Sequence, residues 1–135
     1  MVVIAIDAGT TGVRSFAVDE QGETLGLAYR EFTQHFPRPG WVEHDAEEIW
    51  QAVLATLAEV AATIERPVAA IGITDQRETV VLWDKRTGIP RHRAVVWQDR
   101  RTATRCEQLQ AAGHLDLIRS RTGLVLDPYF SGTKV

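Results

Sequence analysis

Val2-Val3-Ile4-Ala5-Ile6 is a continuous, β-branched apolar run that stops at Asp7, a pattern that predicts a central strand buried on both faces. Gly9-Thr10-Thr11-Gly12 reads as a turn, Val13 to Val18 as a second strand, Asp19-Glu20-Gln21-Gly22 as another turn, and Glu23 to about Phe32 as a third strand. Three strands joined by two short turns make an antiparallel meander. The stretch from Thr33 to Trp41 carries two prolines and Gly40, which predicts a loop.

Asp45 then opens a helix. It stands three residues before Glu48, the spacing at which a capping box satisfies orphan backbone donors. Ile49, Trp50, Val53, Leu54, Leu57, Val60, Ala61 and Ile64 follow as an apolar stripe of helical period, and Pro67 stops it. Val68 to Thr74 is a further apolar strand. A long helix between strands implies a crossover, so this strand is expected to run parallel to the first.

Thr79 to Trp83 and Ala94 to Trp97 read as short strands around the turn-rich stretch 84–93. A second helix is expected from about Asp99 to Ala112, closed by Gly113, with Ala103, Cys106 and Leu109 on its apolar side. Cys106 is thus read as a small buried hydrophobe. A short third helix over His114 to Ser120 and a loop from Gly123 to Val135 complete the pattern. The order βββαβ is the layout of a ribonuclease-H-like half-domain, an α/β fold with a mixed sheet. ATP-using proteins from actin-like filaments to sugar kinases share it, so the fold leaves the function open.

Composition narrows the classes without choosing among them. Hydrophobic residues at 44% and charged residues at 24% are the balance of a folded domain. A net charge of −3 with no basic cluster argues against nucleic acid as a partner. No apolar run is long enough to span a bilayer, no signal-peptide pattern opens the chain, and a cytoplasmic location is expected. A single cysteine excludes an intrachain disulfide and a cysteine-rich metal site.

Chemistry concentrates at Asp7-Ala8-Gly9-Thr10-Thr11, where a strand turns into a hairpin. Glycine lets backbone approach a ligand, successive turn amides can form an anion-binding nest, and Arg14 adds a positive charge. A carboxylate at a strand end suits a hydrated Mg²⁺. The same residues are also an acceptable polar hairpin turn, and both readings stand at this point. His44, between Glu43 and Asp45, is read as structural, since no other histidine has metal-ligand spacing to it.

Five segments, taken together, resemble the glycerol kinases of the carbohydrate-kinase family with a D-x-G-T-[ST] opening. They are Asp7–Thr11 with Arg14, Gly40-Trp41-Val42-Glu43-His44-Asp45, Ile73 to Thr79, Trp97-Gln98-Asp99-Arg100-Arg101-Thr102, and Asp127 to Lys134. They occur in the family's order across nearly all of the chain. Two positions depart from the pattern: the family usually has Gln at Ala8 and Asn at Asp75.

The resemblance implies an ATP-dependent polyol kinase using Mg²⁺. Arg77 and Glu78 would hydrogen-bond a vicinal diol, with Trp97 as an apolar wall and Tyr129 as a further hydroxyl ligand. Thr10, Thr11, Gly12 and Arg14 would meet the nucleotide phosphates, and Asp7 would hold the metal through water. It also implies that the chain is the first part of the substrate-binding lobe of a longer protein, itself inactive. The catalytic aspartate and the second, adenine-binding lobe would come after Val135, and the whole protein would be a homo-oligomer. A kinase acting on xylulose or a tetritol, or a non-catalytic actin-like nucleotide-binding module, remain the alternatives.

Overall fold

The apolar run at the start of the chain forms β1 (Val2–Ala8), which extends two residues past Ile6 and so takes Asp7 into the strand. In this computed structural model, which describes residues 1–135, β2 (Gly12–Asp19) and β3 (Thr24–Glu31) follow as the expected antiparallel meander. Helix α1 (Ala46–Ala61) crosses to β6 (Val68–Thr74), which lies parallel to β1, giving the mixed order β3-β2-β1-β6. The chain divides into two compact units: residues 1–34 with 44–76, and residues 35–43 with 77–135.

In the first unit α1 packs on β1, β2 and β3. The core is Val2, Ile4, Ile6, Val13, Ala17 and Ala28 from the strands, with Ala52 and Val60 from the helix. Burial along β1 alternates, and Val3 is 42% exposed, so the strand is covered on one face only. The expected two-sided burial is thus corrected: one helix shields one side of the pleat. Every residue of β6 is exposed.

The helical stripe needs the same correction. Trp50 and Leu54 face outward, whereas Ala52 and Thr56 point to the sheet. Thr56 is wholly buried because its hydroxyl is satisfied by Ser15 Oγ at 2.8 Å and the Ala52 carbonyl at 2.9 Å. The capping box is half made. Asp45 accepts from the amides of Glu47 and Glu48, but the Glu48 carboxylate turns away to accept from the Thr33 amide at 2.9 Å.

The rest of the chain is built on short pieces. Strands β4 (Gln34–His35), β5 (Glu43–His44) and β7 (Ala94–Val95) form a sheet of order β4-β5-β7, so the stretch expected as one loop contains a strand. No strand forms over 79–83. Val80 makes an isolated antiparallel bridge with Val95, and Trp83 another with Pro90. Helix α2 (Ala103–Ala111) starts four residues later than expected, because Asp99 is drawn into a buried ion network instead. Cys106 is buried on it. Helix α3 (Leu115–Thr122) ends at Gly123, whose φ of 72° is the left-handed cap that glycine accepts without strain. A single 3₁₀ turn, Ser131–Thr133, interrupts the final loop.

Candidate functional site

The acidic turn belongs to the first unit. Asp7 and Arg14 are register partners across β1 and β2, so the carboxylate and the guanidinium leave the same face of the sheet. Arg14 also lies over the Tyr29 ring, 5.7 Å from its centroid. Thr10 is half-buried and Thr11 exposed in the bend between the strands.

Two glutamines hold this turn, and the sequence reading did not single out either. Gln76 Nε2 donates to the Gly9 carbonyl at 2.9 Å, and Gln34 Nε2 donates to the Thr10 carbonyl at 3.1 Å. Both bonds fall on carbonyl oxygens, so they fix the turn from its acceptor side. The Gln34 amide oxygen accepts from His44 Nε2 at 2.7 Å, and the buried His44 ring stands edge-on to Phe32. His44 is therefore a structural support.

The glycines of the turn differ in what they do. A Cβ on Gly9 would stand 3.2 Å from the Gly12 carbonyl, a tight approach, and meet Asp7 Oδ1 at an ordinary 3.8 Å. A Cβ on Gly12 would collide with the Arg30 carbonyl at 2.5 Å and the Tyr29 hydroxyl at 2.6 Å. Gly12 thus has a packing reason of its own.

No group of three acidic, histidine or cysteine side chains gathers anywhere in the chain. A protein cage for a cation is not what the residues offer. One strand-end carboxylate beside a glycine turn does fit Mg²⁺ in its phosphate-bound mode, which uses one or two carboxylates and keeps several waters.

The polyol-reading candidates all lie in the second unit. Glu78 has φ of 68°, the only non-glycine residue of the chain in the left-handed region. Such a conformation costs roughly 1–3 kcal/mol and persists where the surroundings over-determine it. Ser131 supplies that constraint: its amide and its hydroxyl both donate to Glu78 Oε2, at 2.8 and 2.5 Å. These bonds, the hydroxyl's first, hold the Glu78 carboxyl below its usual range. Both fall on one oxygen, which leaves Oε1 outside them.

Arg77 precedes it as an exposed side chain. Trp97 is half-buried, and its amide donates to the Thr79 hydroxyl at 3.2 Å. The Trp97 and Tyr129 rings meet edge to face, with centroids 5.5 Å apart. Lys134 links the two segments by donating to the carbonyls of Val96, Trp97 and Tyr129 at 3.1, 3.3 and 3.2 Å. Glu78, Trp97 and Tyr129 are thereby tied into one cluster through Ser131 and Lys134, two residues given no role from sequence.

Two of the recognised segments turn out to bind each other. Asp99, fully buried, accepts from the Val42 amide at 2.7 Å and from Arg101 through its backbone, Nε and Nη2. Arg101 Nη2 also reaches Glu43 at 2.7 Å, and the guanidinium lies 3.8 Å from the centroid of the Trp41 ring. Burial alone would push the Asp99 carboxyl up. The Arg101 and Val42 bonds outweigh it, and the net shift is downward.

The chain thus combines an α/β unit with a mixed sheet and an acidic glycine turn with a second unit that carries a polar and aromatic cluster. The chain belongs to the FGGY family of carbohydrate kinases, whose N-terminal domain matches residues 2–135. It is 55% identical to a glycerol kinase of Dechloromonas aromatica and 54% identical to one of a Geobacillus strain, over 98% of this chain and 27% of each relative. The chain thus spans about a quarter of the length of the curated relatives it matches. Among solved structures it resembles the glycerol kinase of Plasmodium falciparum with ADP, with a TM-score of 0.94 and 32% identity, over 98% of this chain and 27% of that one. The xylulose kinase of Rhodospirillum rubrum superposes with a TM-score of 0.92 at 28% identity, over 99% and 28% of the two chains. No helix is long and apolar enough to cross a membrane.

Proposed function

We propose that residues 1–135 form the N-terminal part of the substrate-binding lobe of an ATP-dependent glycerol kinase. The full-length kinase would transfer the γ-phosphoryl of ATP to a terminal hydroxyl of glycerol, giving glycerol 3-phosphate and ADP. The observation that carries this reading is the 55% identity, over 98% of the chain, to a relative named glycerol kinase.

The clustered side chains support it chemically. Arg77 donates to hydroxyl oxygens while Glu78 accepts from hydroxyl hydrogens, so the pair reads a vicinal diol from both sides. Trp97 forms the wall against the carbon chain, and Tyr129 offers a phenolic oxygen at the pocket's edge. Thr10, Thr11, the Gly12 amide and Arg14 meet phosphate oxygens at the turn after β1. Asp7 would hold Mg²⁺ through water, and the ion would supply positive charge against the transferring phosphoryl group. The base that accepts the glycerol proton, and the adenine pocket, belong to sequence outside residues 1–135. We place the enzyme in the cytoplasm as a homo-oligomer.

The test is Arg77→Ala in the full-length kinase. Hydrogen bonds to a charged donor are worth about 1.5–3 kcal/mol, so kcat/KM for glycerol falls by roughly ten- to a hundredfold while the KM for ATP stays put. Glycerol kinetics that do not change would leave Arg77 a surface residue and remove the diol reading.

A further inference from the structure

We infer that Lys134 is a positioning residue for the polyol pocket, and that it sets the separation of the Trp97 and Tyr129 rings by capping the carbonyls beneath them. The inference rests on the substrate reading above. Its observation is independent of that reading: three backbone carbonyls from two chain segments converge on one ammonium.

The geometry is saturated. An ammonium has three N–H donors and no acceptor. Lys134 Nζ lies 3.1 Å from the Val96 carbonyl, 3.3 Å from that of Trp97 and 3.2 Å from that of Tyr129. Val96 and Trp97 end the stretch after β7, whereas Tyr129 sits in the loop after α3. The ammonium bridges the two segments through these three carbonyls.

The segment carrying Lys134 is itself fixed at both ends. The Asp127 carboxylate accepts from the Tyr129 amide at 2.8 Å, and the Lys134 amide closes the 3₁₀ turn on the Ser131 carbonyl at 2.8 Å. Ser131, in the same turn, holds Glu78. One short stretch therefore contributes the phenol, orients the carboxylate and spaces the aromatic wall. Asp99 and Glu78 supply the negative charge that balances the ammonium, while burial pulls its pKa below the usual lysine value.

A fixed spacing has a consequence for substrate choice. Trp97 and Tyr129 touch edge to face at 5.5 Å between centroids, and the two carbonyl bonds hold that contact from behind. Removing the ammonium frees the loop from the stretch after β7, so the wall loosens without losing a substrate contact. The loss should appear in glycerol binding and leave the nucleotide step alone.

The experiment is Lys134→Met in the full-length kinase, with steady-state kinetics in glycerol and in ATP, repeated in a Tyr129→Phe background. The expected result is a KM for glycerol raised roughly tenfold or more, as misplacing a positioning contact does, with the KM for ATP unchanged. The glycerol effect should shrink in the Tyr129→Phe background, because the phenolic oxygen that the ring's placement aims at the polyol is then absent. A folded Lys134→Met enzyme with wild-type glycerol KM overturns the inference, and so does full additivity with Tyr129→Phe. If Lys134→Met fails to fold, Lys134→Gln keeps a polar donor and is measured in its place. Failure of both to fold makes the lysine a residue of the fold alone and also overturns it. Wild-type enzyme that does not phosphorylate glycerol would instead sink the substrate reading, and the same comparison then runs on whichever polyol it does accept.

Discussion

At the scale of single residues, Glu78 shows how strain and charge are combined. Its left-handed backbone is compensated by two bonds from Ser131, and those bonds stabilise the ionised carboxylate. If that carboxylate accepts from the diol as proposed, glycerol recognition in the full-length kinase should be lost as pH falls through the Glu78 pKa, which Ser131 holds low. Ser131→Ala removes the first of the bonds that lower it, so the acidic limb of kcat/KM for glycerol should move to higher pH. A profile carried down through and below the ordinary glutamate range, about pH 4 to 4.5, checks this, and an unmoved limb would separate Glu78 from the recognition step. Arg77 and Glu78 were legible only through the resemblance of the segment Ile73 to Thr79 to the carbohydrate-kinase pattern, since by position alone they read as a surface pair in a turn. Ser131 and Lys134 were not, because their work is done by bonds to partners far along the chain: Ser131 reaches Glu78 across 53 positions. No local pattern carries such a bond.

At the scale of elements, the meander, the crossover helix and the parallel strand were readable because hydrophobic period and turn residues act locally. The face that each element buries was less so. Trp50 and Leu54 looked like core and are exposed, while the polar Ser15 and Thr56, which no reading singled out, are buried as a bonded pair. Apolarity predicts burial only where a partner surface exists, and polarity permits it wherever the hydroxyl is satisfied. Short strands such as β4 and β5 carry too few residues for a period to show. Gly12 separates packing from function at this scale. Gly12→Ala forces a methyl group against the Arg30 carbonyl and the Tyr29 ring, with no room on either side. Overpacking of this kind should cost about 1–3 kcal/mol in chemical denaturation. An unchanged midpoint would show that β2 and β3 yield more easily than their register implies.

At the scale of the whole molecule, each unit carries one kind of chemistry: the acidic glycine turn in the first, the polar and aromatic cluster in the second. The sheet of the first unit exposes an apolar strip at Ile71 and Ile73 on one face of β6, with Val68 exposed on the other, surface that folded domains seldom leave uncovered. That strip agrees with the proposal that residues 1–135 belong to a longer kinase. Family membership leaves the substrate to be decided, since glycerol and xylulose kinases both superpose on the chain. The deciding measurement is a coupled assay of the full-length kinase with Mg-ATP, comparing kcat/KM for glycerol and for xylulose. If the proposed assignment holds, glycerol should be preferred over the longer xylulose by roughly 100-fold, the order that a difference in chain length gives in a fitted pocket. Comparable efficiency on the two would contradict the glycerol assignment and leave only the carbohydrate-kinase fold and family standing.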